Sequence, residues 1–291
     1  MNGVIIIDKP EGWTSQDVCA KLRGLFREKR IGHGGTLDPM ATGVLPVFLG
    51  RATRAAQFSE NSDKTYVAGM RLGIVTDTQD ITGRVLSQRE NSVTTDDINA
   101  VLPRFLGELE QIPPMYSAVK IGGKKLYELA RKGQEIERTP RRITIRSIEL
   151  TGFECGDFLI TVTCSKGTYI RTLINDIGVF LGCGACMSSL RRTVAAGFSI
   201  DKAIPLQTLI DASEEERRAY VSPTDSVFAA YPAVSIGGRA LDLALNGNEF
   251  RSPFADGRYR VYSESGEFIL FGECRDGSMK TIKSFFEVQS I

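Results

Sequence analysis

The chain has 291 residues, 42% of them hydrophobic and 24% charged, with a net charge of +1. That balance excludes a disordered or fibrous chain and a uniformly basic nucleic-acid binder. No apolar run approaches the ~20 residues that span a bilayer, and the start, M-N-G-V-I-I-I-D-K-P, lacks a basic flank and a cleavage site. The expected address is therefore the cytoplasm, and the length suits one large domain plus a small one.

Residues 3–7 read as a short buried strand closed by Asp8-Lys9-Pro10. Thr14 and Asp17 have capping-box spacing, and Val18, Leu22, Leu25 and Phe26 fall on one helical face. Residues 64–73 read as a strand with Tyr66, Ala68, Met70 and Leu72 on one side. Thr94 with Asp97 caps a helix expected over 94–105, despite Pro103. Residues 111–120 look extended, Gly122-Gly123 a hairpin turn, and 126–132 a short basic helix. Residues 142–153 and 158–164 read as strands around Gly156-Asp157. After Gly167 the period becomes helical, with Ile170, Leu173, Ile174, Ile177 and Leu181 on one face up to Gly182. Residues 214–218 suit a solvated helix near a domain boundary. Beyond about residue 225, short strands are expected over 258–263, 266–274 and 277–284, with a helix over 239–245.

Cysteine and charge distribution narrow the chemistry. Cys19, Cys155, Cys164 and Cys274 read as small apolar side chains. Cys183 and Cys186 form a C-x-x-C pair, but a zinc site needs a second pair or histidines, so no metal is expected. Residues 113–146 carry nine Lys/Arg against three acids, a local +6 in a nearly neutral chain. Segregated charge of this kind suits a phosphate backbone as well as a solvated face.

The most pointed stretch is 31–54, I-G-H-G-G-T-L-D-P-M-A-T-G-V-L-P-V-F-L-G-R-A-T-R. Gly32, Gly34 and Gly35 give backbone freedom, and Pro39 restricts Asp38 to extended angles. His33 is the single histidine in the chain, and the apolar run 44–49 suits a buried strand or turn. Asp38-Pro39 is equally compatible with an ordinary turn, with a helix start capped by Asp38, and with a carboxylate displayed on a shaped loop.

The motif G-H-G-G-T-L-D-P-M-A-T-G-V-L-P resembles the catalytic motif of the bacterial tRNA pseudouridine-55 synthases, the B-type pseudouridine synthase family. K-T-Y (64–66), P-P-M-Y-S-A-V-K (113–120), S-K-G-T-Y-I-R-T (165–172) and L-R-R-T (190–193) follow in the family's order, so the resemblance covers roughly residues 1–200. It implies an α+β catalytic domain, 1–224, on a mixed and mainly antiparallel sheet with flanking helices. A small β-rich PUA-like RNA-binding domain, 225–291, would follow. It also implies isomerisation of uridine 55 in the tRNA T arm, with base flipping, no cofactor and no protein partner, by a monomer.

By the same resemblance Asp38 is the nucleophile, and Arg171 pairs with it and keeps it charged. Tyr66 stacks on the uracil, and Tyr169 hydrogen-bonds it or moves a proton. His33 fills the vacated place in the RNA, with a general-acid role as the runner-up, Leu190 contacts the uridine, and Lys9 lies near the site as a further substrate-binding residue. Arg191 and Arg192 would meet phosphates. The insertion at about 113–142 grips the RNA, with Lys124, Lys125, Arg131, Lys132, Arg141 and Arg142 on its backbone. A glycosidase would need a second carboxylate, and no comparable motif offers one near Asp38. A non-catalytic RNA-folding scaffold is the alternative from another class.

Overall fold

The computed structural model describes residues 1–117 and 119–286. Ala118, the residues from 287 onward and the side chain of Lys125 lie outside the described residues.

The chain opens with β1 (Gly3–Lys9), whose Ile5 and Ile7 pack on Val18 and Leu22 of α1 (Ser15–Phe26). The expected capping box starts that helix: Thr14 accepts from the Asp17 amide, and the Asp17 carboxylate accepts from the Thr14 amide at 2.9 Å. β2 (Ile31–His33) and β3 (Thr42–Leu49) flank the glycine-rich loop, so the 44–49 run is a strand. Next come α2 (Ala56–Glu60), β4 (Lys64–Leu72) and a hairpin of β5 (Ile74–Thr76) and β6 (Val85–Gln88). α3 (Thr95–Val101) carries its capping box, then tightens into a 3-10 turn over Leu102–Phe105, where Pro103 offers no amide.

β7 (Gly107–Gln111) ends at Gln111. The stretch expected to be extended is strand only at its two ends, because Pro113 and Pro114 cannot donate to a ladder. β8 (Lys120–Ile121) pairs with β9 (Lys124–Lys125) across Gly122-Gly123, both at positive φ, and α4 (Leu126–Ala130) follows. β10 (Arg141–Glu154) and β11 (Asp157–Cys164) turn at Cys155-Gly156, one residue earlier than expected, and both turn residues have positive φ. α5 (Ile170–Phe180) buries Ile170, Leu173, Ile174 and Ile177 against β12 (Ala185–Ala195), for which the sequence pattern gives no element. Each such burial is worth about 1.5–3 kcal/mol, which fixes the helix and the residues between those anchors. β13 (Phe198–Ser199), β14 (Ile204–Pro205), α6 (Leu206–Asp211) and the solvated α7 (Glu214–Ala219) complete the first unit.

Ten of these strands form one sheet, in the order β14-β1-β3-β12-β4-β11-β10-β7, with β2 beside β3 and β13 beside β12. Among the described residues β1 with β14 and β3 with β12 pair in parallel and the rest are antiparallel. This is the mixed α+β architecture that the resemblance implied. A second, five-stranded sheet follows: β15 (Ala233–Ile236), α8 (Gly238–Leu245), β16 (Phe250–Arg251), β17 (Gly257–Ser263), β18 (Phe268–Arg275) and β19 (Ser278–Ser284). This is the expected small β-rich unit. Phe228 stacks on Phe271 at 4.4 Å and meets Phe58 edge-on at 5.1 Å, fastening the second sheet to the first. Among the described residues no helix is long and apolar enough to cross a membrane.

Candidate active site

Asp38 lies in the loop between β2 and β3, and that loop is tied down almost residue by residue. The Gly34 amide donates to the Pro46 carbonyl at 2.9 Å, and Ser59 Oγ donates to the Gly34 carbonyl at 3.1 Å. Arg192, fully buried, donates to the carbonyls of Gly35, Thr36 and Val44. Ser15 Oγ accepts from the Leu37 amide at 2.9 Å. Beyond Asp38, the Pro39 carbonyl accepts from the Gly12 amide and from Lys9 Nζ. The Ala41 amide returns to the Asp38 carbonyl, closing a turn, so no helix starts here and Asp38 is not a helix cap. Gly43, at φ +101°, lies so close to the Arg192 backbone that a Cβ there would overlap it. The loop's shape is thus set by backbone contacts, which leave the Asp38 carboxylate 39% exposed.

Arg171 enters from the first turn of α5, between the buried Ile170 and Leu173. Its side chain is only 6% exposed, and its guanidinium serves four acceptors at once. Nη2 meets Asp38 Oδ2 at 2.9 Å and the Tyr116 carbonyl at 2.9 Å. Nη1 meets the Thr78 carbonyl at 3.1 Å and Asp80 Oδ2 at 3.4 Å. A planar fork suits such divided work, and a buried cation needs the counter-charges. Asp80 is a second carboxylate that sequence reasoning missed, because T-D-T-Q-D-I-T-G (76–83) reads as an ordinary surface turn. It is not a glycosidase acid: it is 7% exposed, absent from the cleft lining and occupied by Thr78, Thr82 and Arg171.

Around Asp38 opens a cleft of about 280 Å³, lined among others by Lys64, Tyr66, Ser117, Tyr169, Arg171 and Leu190. That is the lower end of small-ligand pockets, so it admits one nucleotide and no duplex. Tyr66 reaches it from β4 and Leu190 from β12; Tyr169 stands at the N-cap of α5. Burial pushes the Tyr66 hydroxyl up from its ordinary range, so it stays protonated at neutral pH. Burial, reinforced by Arg192, lowers the Lys64 amine to about 8. Ser117 was not singled out by the sequence. Its hydroxyl is buried at the cleft without a hydrogen-bond partner among the described residues.

Two residues expected at the site are held by the loop itself. Lys9 is fully buried behind the loop, where Nζ donates to the carbonyls of Pro10, Trp13 and Pro39 and burial lowers its pKa to about 8. It props the loop and does not open into the cleft. Arg192 donates to the loop carbonyls and also lines the cleft, while Arg191 is held by Asp8 at 2.7 Å. Lys124, Arg131, Lys132, Arg141 and Arg142 are all exposed, on and beside the β8–β9 hairpin. Lys125 sits in β9, but its side chain is outside the described residues.

His33 ends β2, outside the cleft lining, with Nε2 3.4 Å from Gln16 Nε2 and a buried Nδ1 that has no partner among the described residues. Burial, then the Arg192 charge, lowers its pKa from 6.5. The folded chain therefore resists protonation, and stability drops as pH falls through the unfolded value. Between about pH 6.5 and about pH 8 the ring is neutral. Profiles of kcat/KM for the chain and for His33→Ala are expected to run parallel over that range; a limb lost only in the variant would make His33 a titrating catalyst.

A carboxylate held by a buried arginine, in a small cleft beside exposed basic residues, suits an enzyme that acts on one unit of a polyanion. Residues 23–170 match the model of the TruB family pseudouridylate synthases (N-terminal domain), and residues 171–229 match the tRNA pseudouridylate synthase B C-terminal domain. A tRNA pseudouridine synthase B of Clostridium kluyveri is 44% identical over 98% of this chain and 100% of its own length. One from Pseudomonas aeruginosa is 42% identical over 95% of this chain and 93% of its own. The solved structure of a Cbf5-Nop10-Gar1 complex gives a TM-score of 0.75 at 30% identity, over 98% of this chain and 85% of that one. The chain belongs to the TruB family of pseudouridylate synthases.

Proposed function

We propose that this chain is a tRNA pseudouridine synthase that isomerises uridine 55 in the T arm. The observation that carries the reading is the 2.9 Å contact of buried Arg171 with cleft-facing Asp38. The reaction breaks the N1–C1′ bond, turns the uracil and forms a C5–C1′ bond; C5 loses a proton and N1 gains one. No electrons are gained or lost, and the chain's task is to hold the intermediate covalently while the base turns. Asp38 supplies the electron pair for that bond, and Arg171 supplies the counter-charge beside it as the base displaces water.

Tyr66 offers a face on which the uracil stacks, worth on the order of 1–3 kcal/mol. Tyr169 hydrogen-bonds the base or moves its proton, and Leu190 packs on the nucleotide. His33, as a neutral ring, fills the gap left in the RNA, offsetting part of the few kcal/mol that extrusion costs. A related solved structure is titled as a ribonucleoprotein bound to a substrate RNA. It is 28% identical with a TM-score of 0.74, which supports RNA as the substrate class. A scaffold protein needs no carboxylate opening into a cleft, so the exposure of Asp38 beside Arg171 favours the enzyme. We place the synthase unit at 1–224 and the RNA-binding unit at 225–291, and the chain acting as a monomer, without a protein partner, in the cytoplasm.

Mapping pseudouridine in a T-arm stem-loop after incubation with the protein tests the reading. One modified position, uridine 55, is expected, and none, or several, would contradict it. The exposed lysines and arginines of 113–142 bind phosphates in this account. Changing Lys124 and Lys132 together to Gln should weaken T-arm binding and flatten its salt dependence by about 1.5 in log–log slope. An unchanged slope would place the RNA elsewhere.

A further inference from the structure

Gln111 closes β7 at the root of the basic insertion, 4% exposed, and its side-chain amide meets the backbone of Tyr169 twice. The Tyr169 amide donates to Gln111 Oε1 at 2.8 Å, and Gln111 Nε2 donates to the Tyr169 carbonyl at 3.1 Å. Tyr169 is the N-cap of α5, with φ −100° and ψ 107° and no side-chain cap. An N-cap without a capping side chain has little to hold its direction. Here a single primary amide does so, acting on Tyr169 as a neighbouring strand would.

We infer that Gln111 is a positioning residue: it sets the backbone angle from which Tyr169 enters the cleft, and through it the orientation of the phenol against the base. The inference rests on the synthase reading only for the consequence to catalysis; the clamp itself is geometry. Its chemistry is specific to glutamine. Glutamate has the same shape, but as a carboxylate it offers no donor and sets a second acceptor against the Tyr169 carbonyl. Asparagine is one methylene too short. Both β7 and α5 are anchored independently of this contact, β7 by its pairing with β10 from Gln111–Arg141 to Gly107–Ile145 and α5 by its buried face, so loss of the clamp need not unfold either.

The test is single-turnover and steady-state kinetics of Gln111→Glu on a T-arm stem-loop, alone and combined with Tyr169→Phe, with amide hydrogen exchange at Tyr169. Alone, Gln111→Glu is expected to lower kcat by about tenfold with KM within about twofold, as for loss of orientation. In the Tyr169→Phe background, where the phenol is already gone, the same change should cost less than about twofold. The Tyr169 amide should exchange faster in Gln111→Met, which removes its acceptor, whether or not the RNA reacts. Equal losses in both backgrounds, or none in either, would overturn the inference, as would unaltered exchange. Gln111→Met, which removes both hydrogen bonds without adding charge, is expected to behave alike; failure of both variants to fold would make Gln111 a determinant of the fold and reject a positioning role. If the unmodified chain gives no pseudouridine while exchange at Tyr169 still responds, the synthase reading fails and the clamp stands.

Discussion

Asp38→Asn is expected to lower turnover by at least about four orders of magnitude while the protein folds and binds its RNA as before. The amide keeps the shape of the carboxylate but has no charge and no competent lone pair for the covalent bond. The fold should barely register the change. What shapes the loop are bonds to its backbone from Ser15, Ser59, Lys9 and Arg192, and none of them reaches the Asp38 carboxylate. Arg171 loses one counter-charge, yet keeps Asp80 and two carbonyls. The stability change should stay within about 1 kcal/mol, the range for a part-exposed ion pair. Thermal unfolding and rates measured on the same sample separate the two effects. Residual turnover within a hundredfold of the unmodified chain would remove Asp38 from the chemistry.

Arg171→Lys is the second large effect, and it discriminates charge from geometry. Lysine retains the cation, so Asp38 and Asp80 are not left facing an apolar side chain. Its ammonium has three protons for four acceptors and cannot spread across Asp38, Asp80, Thr78 and Tyr116 as the guanidinium does. Turnover should fall by about 10²–10³, the scale for removing one preorganised electrostatic contact. Stability should fall by under about 2 kcal/mol. Arg171→Met, by contrast, strands two carboxylates and should also destabilise by about 3–5 kcal/mol. If Arg171→Lys turns over within threefold of the unmodified chain, charge alone suffices and the four-acceptor geometry is irrelevant to catalysis.

Local chemistry made much of this fold readable. The capping boxes at Thr14 and Thr94 are written in single residues, the alternation of Tyr66, Ala68 and Met70 marks one face of a strand, and the period of Ile170 to Ile177 marks a buried helix. Where the pattern is interrupted, reading failed. β12 is a central strand between β3 and β4, yet it carries two register shifts against β4, and A-C-M-S-S-L-R-R-T-V-A shows no steady alternation. The same strand hides Arg192, whose complete burial is intelligible only once three loop carbonyls are seen to converge on it. Asp38 and Arg171 were found through motifs. Asp80 and Gln111 act across 91 and 58 residues of chain on Arg171 and Tyr169, and nothing local announces such contacts. The helix-start possibility for Asp38-Pro39 fell for a local reason: after the turn the chain enters β3, whose residues are drawn into a buried sheet.

The central claim is that one carboxylate, Asp38, carries uridine isomerisation in this cleft. Tritium release from a T-arm stem-loop labelled at carbon 5 of its uracils tests it most directly, because pseudouridine formation must exchange that hydrogen. Release equivalent to one uridine per RNA is expected from the unmodified chain and none above background from Asp38→Asn. Equal release from both, or RNA binding without release from the unmodified chain, would contradict it.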